Sequence, residues 1–127
     1  MRPQYKKLIL KREEPYEKSV NVIHFGLGNF YRAFACHYFQ KMNENNKDLI
    51  RVMGVSLRTR KIITALERQN GLFTAFEKGL DRLNVRVLDS IHDVAFAPDD
   101  PSFLLEALAR PGIILVTLTI TEKGYCL

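Results

Sequence analysis

Two glycines stand between an apolar segment and an amphipathic one, in the layout of a phosphate-binding turn. Gly26, Leu27 and Gly28 directly follow the first apolar run of the chain. Gly26 permits a tight turn, and Gly28 has no side chain that would block the approach of a phosphate. The backbone N–H groups of Asn29 and Phe30 would face that phosphate at the start of a helix, where anions are favoured. The spacing therefore predicts a dinucleotide-binding turn.

The turn departs from the usual G-x-G-x-x-G pattern at the third glycine. Tyr31 occupies that position, and Arg32 follows it. The arginine has the reach to contact a phosphate or to pair with a carboxylate. A plain strand-to-helix turn is the alternative explanation, but the placement between an apolar strand and an amphipathic helix favours nucleotide binding.

The residue that would contact the adenosine ribose is expected at the carboxyl end of the second strand. Asp48 has the usual distance from the glycines but precedes that strand, so we reject it. The carboxyl end carries Ser56, Leu57 and Arg58 and no carboxylate. An arginine there can accept a 2′-phosphate or stack on adenine, although a solvent-facing charge at a helix start is the simpler alternative. The choice between NAD and NADP stays open.

Hydrophobic periodicity divides the chain into strands and helices of an α/β protein. The predicted elements are a strand over 20–25, a helix over 30–42, a strand over 50–57, a helix over 59–68, hairpin strands over 72–77 and 85–88, a helix beginning at 101, and a strand over 113–120. This order implies right-handed crossovers and a mostly parallel sheet with an inserted hairpin. Residues 1–19 are expected to form an arm over the surface, and residues 20–127 one domain.

Capping residues and apolar spacing refine three of the helices. Thr59 is expected to cap the second helix, and Asp100 followed by Pro101 the third. The residues expected to pack the first helix onto the sheet lie four apart. They are Phe30, Phe34, Tyr38 and Met42. The inward face of the third helix is expected to comprise Phe103, Leu104, Leu105, Ala107 and Leu108.

Composition places the chain among ordinary globular domains. Of its 127 residues, 46% are hydrophobic and 26% are charged. The net charge of +5 is scattered and accompanies no nucleic-acid-binding motif, so we expect no nucleic-acid partner. No apolar run reaches the length of a membrane span. We therefore expect a cytoplasmic protein without a membrane partner.

The cysteines and histidines predict no disulfide and no metal site. Cys36 and Cys126 lack C-x-x-C spacing and are expected to be free thiols. His24, His37 and His92 have no mutual spacing that suits a metal ion. His24, in the first strand, is expected to be a core or near-turn histidine whose hydrogen bonds are satisfied.

Three runs of the sequence resemble the polyol-specific long-chain dehydrogenases, which include mannitol 2-dehydrogenase, fructuronate reductase and arabinitol dehydrogenase. They are residues 26–33, 54–58 and 116–126, and the hairpin region between them also looks similar. The run from Thr121 to Tyr125 is the most specific. The resemblance covers about residues 20–127 in the same order. Tyr31 replaces a histidine that is common in the family, and the run 34–36 replaces a frequent His-Gln-Ala.

The resemblance implies a Rossmann-type NAD(P)-binding domain. It also implies an oxidoreductase that interconverts a polyol or sugar acid with its keto form by hydride transfer. It matches Thr119 and Thr121, with Glu122 and Lys123, to the loop beside the nicotinamide. The complete cofactor site expected here is Gly26, Leu27, Gly28, Asn29, Phe30, Arg32, Ser56, Leu57, Arg58, Thr119 and Thr121.

The resemblance further implies that the lysine and asparagines of proton transfer belong to a helical C-terminal domain absent from this chain. We therefore expect no catalytic residue here, a loop role for Lys123, and an inactive fragment of a longer enzyme. The alternatives are a non-catalytic nucleotide-binding module and an inert truncated product. The strand over 113–120 would lie at the open end of an incomplete sheet, where its uncovered faces predict self-association.

Overall fold

The computed structural model describes residues 9–13, 18–45 and 49–121. The predictions made for Asp48, Glu122, Lys123 and Cys126 concern residues outside these ranges. In chain order, the elements are β1 (Val22–Phe25), α1 (Asn29–Ala33), α2 (Ala35–Asn45), β2 (Val52–Ser56), α3 (Lys61–Arg68), β3 (Phe73–Lys78), β4 (Leu83–Leu88), β5 (Ile91–Phe96), α4 (Pro101–Leu108) and β6 (Leu115–Leu118).

Four parallel strands form the main sheet in the order β5-β2-β1-β6. Val22 in β1 pairs with Val52 of β2 on one side and with Leu115 of β6 on the other. β3 and β4 form a separate antiparallel hairpin. The predicted α/β architecture, a mostly parallel sheet with an inserted hairpin, is confirmed. Because β1 is an inner strand, the turn that follows it lies between the ends of β2 and β6.

Helices cover both faces of the sheet around β1 and β2. On one face, Val22 and Val52 belong to an apolar cluster that includes Leu66 of α3. On the other, Ile23 and Met53 pack in a cluster with residues of α4. All five residues of β2 are buried. The continuous apolar runs of the two strands thus reflect burial on both faces, as is typical of parallel sheets.

The predicted helix over 30–42 is two helices, and the predicted packing stripe is wrong. α1 ends at Ala33, Phe34 has φ −100° and ψ −72°, and α2 begins at Ala35. The four-residue stripe faces solvent, and its members are 46–69% exposed. These members are Phe30, Phe34, Tyr38 and Met42. Tyr31 and Cys36 are buried instead.

β5 is absent from the sequence-based prediction. His92 and Asp93 interrupt its apolar residues, so the segment does not read as a buried strand. It nevertheless pairs in parallel with β2 and forms one edge of the sheet, with a register shift beside Val52. Pairing to a neighbouring strand, which the local sequence does not show, decides its conformation.

The helix boundaries agree with the predicted caps in one case and differ in another. α3 begins at Lys61 with Arg60 at the N-cap, so the assignment of Thr59 as N-cap is wrong. The Thr59 hydroxyl accepts a hydrogen bond from the Lys61 N–H at 3.3 Å. The cap at Asp100 is confirmed, because its carboxylate accepts from the Phe103 N–H at 3.0 Å. Leu105 does not face inward as predicted and is 68% exposed.

Residues 9–13 lie against the end of α3 and the start of β5. The Arg12 guanidinium donates hydrogen bonds of 2.7 Å to the backbone carbonyls of Asn70, Asp89 and Ile91. The Leu10 N–H donates to the side-chain carbonyl of Gln69 at 3.3 Å. The positive charge near a helix C-terminus also suits the helix dipole. This part of the predicted arm is therefore held on the domain.

Candidate functional site

A cavity of about 500 Å³ opens at the carboxyl ends of β1, β2 and β6. In the sheet, β1 lies between β2, which comes next in the chain among these strands, and β6, which comes last. The chain therefore continues from β1 to β2 and β5 on one side and returns to β6 on the other side, so the strand order reverses at β1. Ligands of open parallel sheets bind at such switch points. Eight of the predicted cofactor residues line the cavity: Gly26, Leu27, Gly28, Ser56, Leu57, Arg58, Thr119 and Thr121.

The glycine turn leaves open space in front of α1. Gly26 has φ +99°, a backbone conformation that glycine adopts without steric cost. A Cβ atom added at Gly28 would meet no atom within 4 Å. Gly28 is the N-cap of α1 and no side chain caps this helix end. The first N–H groups of a helix lack intrahelical partners, so an anion in this space would find donors.

Leu27 fills a notch in the neighbouring strand. Its side chain is 6% exposed, and a Cβ atom added at Gly54 of β2 would overlap with it. The absent side chain of Gly54 therefore lets Leu27 lie close to β2, where it forms part of the cavity wall. Gly54 is not among the cofactor residues predicted from the sequence. Its signal was a glycine inside an apolar strand, which often marks a close approach.

His24 is buried and its hydrogen bonds are satisfied, as predicted. Its ring is 1% exposed, and it stacks on the Tyr31 ring with centroids 3.3 Å apart. Burial lowers the pKa of His24 and raises the pKa of the Tyr31 hydroxyl. The third glycine of the usual motif permits close packing of helix on strand. Here the two stacked rings fill that space, which explains a tyrosine at this position.

Three predicted cofactor residues do not line the cavity. The Asn29 side-chain carbonyl accepts a hydrogen bond from the Arg32 guanidinium at 2.5 Å. The same guanidinium lies 6.0 Å from the centre of the Phe73 ring, and burial lowers the pKa of Arg32. The Phe30 side chain is 69% exposed. Asn29 and Phe30 contribute their backbone to the start of α1, whereas their side chains point to other contacts.

The two arginines after β2 have different environments. Arg60 pairs with Asp99, which follows β5, through Nη1 at 2.6 Å and through Nη2. Arg60 also lies 4.5 Å from the Phe96 ring centre, and it lowers the pKa of the Asp99 carboxyl. Arg58 lines the cavity. Ser56 stabilises the loop between them, because its hydroxyl donates to the Thr59 carbonyl at 2.6 Å.

The described residues that line the cavity offer apolar surface, hydroxyl groups and one guanidinium. Among the described residues that line it, Arg58 carries the only ionisable side chain. A guanidinium binds anions and does not act as a proton acceptor in proteins. Within the described ranges, no group of three or more His, Cys, Asp or Glu side chains is arranged to hold a metal ion. No helix in the described part of the chain has the length and apolarity to cross a bilayer.

The inner-strand glycine turn and the cavity at the switch point define a nucleotide-binding domain of the Rossmann class. The sequence profile described as the mannitol dehydrogenase Rossmann domain matches residues 20–126. The chain belongs to the mannitol dehydrogenase family, which confirms the resemblance seen in the sequence.

Relatives with known activities are similar to this chain over most of its length. Mannitol 2-dehydrogenase of Pseudomonas fluorescens, solved as a ternary complex with NAD and D-mannitol, has a TM-score of 0.79 and 39% identity, covering 88% of this chain and 24% of that one. The polyol:NADP oxidoreductase of Gluconobacter oxydans (strain 621H) is 35% identical over 109 residues, which are 82% of this chain and 22% of the relative. The D-mannonate oxidoreductase of Escherichia coli (strain K12) is 32% identical over 109 residues, 83% of this chain and 22% of the relative. The chain thus spans about a quarter or less of the length of these three relatives.

Proposed function

We propose that this domain binds a nicotinamide dinucleotide in the cavity at the ends of β1, β2 and β6. In the whole protein, it would serve an oxidoreductase that interconverts a polyol or sugar acid with its keto form by hydride transfer. The observation that carries the proposal is the single cavity formed by the glycine turn, the loop after β2 and the residues after β6. These segments are distant in sequence and meet at the position where Rossmann domains bind dinucleotides.

Each part of a dinucleotide finds suitable groups in the cavity. The open space at Gly28 and the uncapped start of α1 suit the pyrophosphate. Ser56, Leu57 and Arg58 suit the adenosine half. Thr119 and Thr121 suit the nicotinamide half. A volume of about 500 Å³ is within the range of small-molecule sites.

The described residues bind and orient rather than transfer protons. A bound nicotinamide supplies the hydride chemistry, and the domain would hold its ring against a substrate. Because Arg58 is the only ionisable group among the described lining residues, we place the proton-transferring groups elsewhere in the whole protein. The 127-residue chain alone should therefore bind coenzyme without turnover. A non-catalytic nucleotide-binding module is the second candidate, since the same observation supports it.

Both coenzymes are compatible with the loop after β2. No carboxylate lies at the end of this strand, and the nearby Asp99 is paired with Arg60. A 2′-phosphate would thus meet the Arg58 guanidinium without an unpaired acid opposite it. The similar proteins include one solved with NAD and one named for NADP. We therefore propose NAD as a coenzyme of this domain and NADP as one that it also accepts.

Calorimetric titration of the chain with NAD and NADP tests this proposal. Arg58→Ala should weaken NADP binding by about tenfold, the effect of losing one charge-assisted contact, and NAD binding by less. Arg68→Ala, on the exposed end of α3, is the matched control and should leave both affinities unchanged. If neither NAD nor NADP gives a heat of binding, the binding function is excluded. Substrate-dependent NADH formation by this chain alone would show that the proton-transferring groups are present in it.

We also propose that β6 mediates self-association and that the protein is cytoplasmic. β6 is an edge strand, and its residues Leu115, Val116 and Leu118 are 40–61% exposed. Exposed apolar edge strands tend to pair with other chains. Cys36 is a free, buried thiol, which is compatible with a reducing compartment such as the cytoplasm.

A further inference from the structure

His24 contacts the glycine turn and the end of β6 through the two nitrogens of its ring. Its Nδ1 atom lies 2.7 Å from the Thr117 hydroxyl of β6. Its Nε2 atom lies 3.0 Å from the Gly26 carbonyl oxygen in the glycine turn. The same Nε2 is 3.0 Å from the hydroxyl of Thr119, which follows β6. One buried imidazole therefore joins the turn after β1 to the end of β6.

These partners determine the tautomer of the imidazole. A carbonyl oxygen only accepts hydrogen bonds, so the contact with Gly26 requires a hydrogen on Nε2. A neutral imidazole then has an acceptor at Nδ1, which takes the hydrogen of the Thr117 hydroxyl. Burial favours the neutral ring. The Thr117 hydroxyl thus donates a hydrogen bond to His24, and His24 donates one to the Gly26 carbonyl.

β6 has few other attachments in the described chain. It pairs with β1 alone and lies at the edge of the sheet. Beyond the last paired residue, the Thr119 N–H donates to the Phe25 carbonyl at 3.0 Å. Thr119 also lies against the glycine turn, since a Cβ atom on Gly26 would be 3.4 Å from the Thr119 Cβ. The distance between the turn and the cavity-lining threonines therefore depends on few contacts, which include those of the buried His24 ring.

We propose that His24 is a positioning residue that fixes the spacing between the glycine turn and the Thr119 side of the cavity. The proposal rests on the proposed coenzyme function, because the pyrophosphate and the nicotinamide half would be held on these two walls. His24 itself has no place in the cavity lining. Its effect on binding is exerted through Gly26 and Thr119, and it does not extend to the loop after β2.

The alternative is that His24 contributes to packing only. Comparing the binding of AMP, which is half of the coenzyme, with that of the complete coenzymes distinguishes a positioning role from a packing role. His24→Phe keeps a ring that can stack on Tyr31 and removes all the hydrogen bonds of the imidazole nitrogens. His24→Gln restores a donor near Gly26. Affinities for NAD, NADP and AMP are measured by calorimetry at a temperature where circular dichroism shows each variant folded.

We expect His24→Phe to weaken binding of the better coenzyme about tenfold, corresponding to loss of about one contact. AMP binding should change less than about twofold, because AMP would contact the β2 side and the glycine turn but would not span the distance from the turn to Thr119 that His24 fixes. His24→Gln should recover most of the lost affinity. Equal weakening of AMP and coenzyme, or coenzyme binding by His24→Phe at the wild-type level, would overturn the proposal. A wild-type chain that binds neither coenzyme would overturn the proposed function itself.

Two further measurements keep the proposal testable if His24 variants do not fold. Thr117→Val removes the hydroxyl at Nδ1, and Thr74→Val in β3 is a matched control of similar partial burial. Only the Thr117 variant should weaken coenzyme binding. Nitrogen-15 chemical shifts of the His24 ring should show a neutral imidazole protonated at Nε2, with or without coenzyme. A neutral ring protonated at Nδ1 would contradict the arrangement.

Discussion

The two strands that flank β1 are similar in sequence and opposite in environment. β2 and β6 are both short, apolar and paired in parallel with β1. Every residue of β2 is buried, whereas three of the four residues of β6 are exposed. β2 has β5 on its other side, and β6 forms the edge of the sheet. An apolar composition therefore shows that a strand is suited to burial, whereas the neighbouring strands and helices determine whether it is buried.

This difference extends to the candidate site, because β2 and β6 end at opposite walls of the same cavity. The β2 wall is backed by packed helices and by Leu27 in the notch at Gly54. The β6 wall depends on pairing with β1 and on the His24 contacts. We infer that the β2 wall, proposed for the adenosine half, is rigid and that the β6 wall, proposed for the nicotinamide half, is more easily displaced.

The largest expected effect is the loss of a core side chain from β2. Met53 is completely buried in a cluster with Ile23 and Leu104. Met53→Ala leaves a cavity and should lower the free energy of unfolding by about 2–5 kcal/mol. Leu118→Ala in β6 is the matched control. Its side chain is 61% exposed, so the loss should be below about 1 kcal/mol. Urea unfolding measures both, and equal losses would contradict the contrast between the strands.

An intermediate effect is expected where the core meets the cavity. Gly54→Ala places a Cβ in the space of Leu27, whose side chain also lines the cavity. We expect about 1–3 kcal/mol of destabilisation from overpacking, together with weaker coenzyme binding. Gly112→Ala is the control, because nothing lies within 4 Å of the added Cβ. It should leave coenzyme binding unchanged. If the Gly54→Ala variant has wild-type stability and coenzyme affinity, the close packing of Leu27 against Gly54 is contradicted.

A smaller effect is expected from the ionisation of His24. Burial lowers its pKa in the folded protein below the ordinary value of 6.5, so the unfolded chain binds the proton first as the pH falls. Stability should therefore be highest above about pH 6.5 and decrease below it, until the folded form is also protonated. Tyr31, the titratable group stacked on His24, stays neutral because burial raises its pKa.

The pH prediction is checked by urea midpoints of wild type and His24→Gln at about pH 7.5 and pH 5.5, on either side of the ordinary histidine value. The wild-type midpoint should fall more than that of the variant. Identical decreases in the two proteins would show that other groups cause the loss.

The smallest effect on stability is expected at the exposed edge. Val116→Lys changes a residue of β6 that is 40% exposed, and a lysine on an edge strand opposes pairing with another chain. The free energy of unfolding should change by less than about 1 kcal/mol, while self-association measured by sedimentation should decrease. A wild-type chain that stays monomeric at high concentration would contradict the self-association proposal.

The sequence was sufficient to predict the order of most elements and the family, because buried strands, caps and turns have local signals. Asp100, whose carboxylate caps α4 as predicted, is an example. It was not sufficient for β5, whose strand conformation comes from pairing with β2. It also failed for the stripe from Phe30 to Met42, because these large apolar residues face solvent and Tyr31 and Cys36 are the buried ones.

The sequence predicted the site residues whose role depends on the position of the backbone. It was less successful for residues whose role depends on the direction of the side chain. Gly28, Arg58 and Thr119 follow the carboxyl ends of β1, β2 and β6, which are adjacent in the sheet, and all three residues therefore line one cavity. Arg32 does not line it, because its guanidinium lies by Asn29 and Phe73. The roles of Gly54 and His24 depend on contacts between segments far apart in sequence, such as the 93 residues that separate His24 from Thr117.

Pairing of β1 with β6 has a kinetic consequence, since it joins residues more than ninety positions apart. Contacts of such long range form late, because the entropy of closing the loop must be lost before they contribute. β1, β2 and β5 occur earlier in the chain and already form three adjacent strands. During synthesis, these three strands leave the ribosome first, and β6 adds to a sheet that is partly assembled. Until β6 arrives, the glycine turn has only one of the two strands that flank its site.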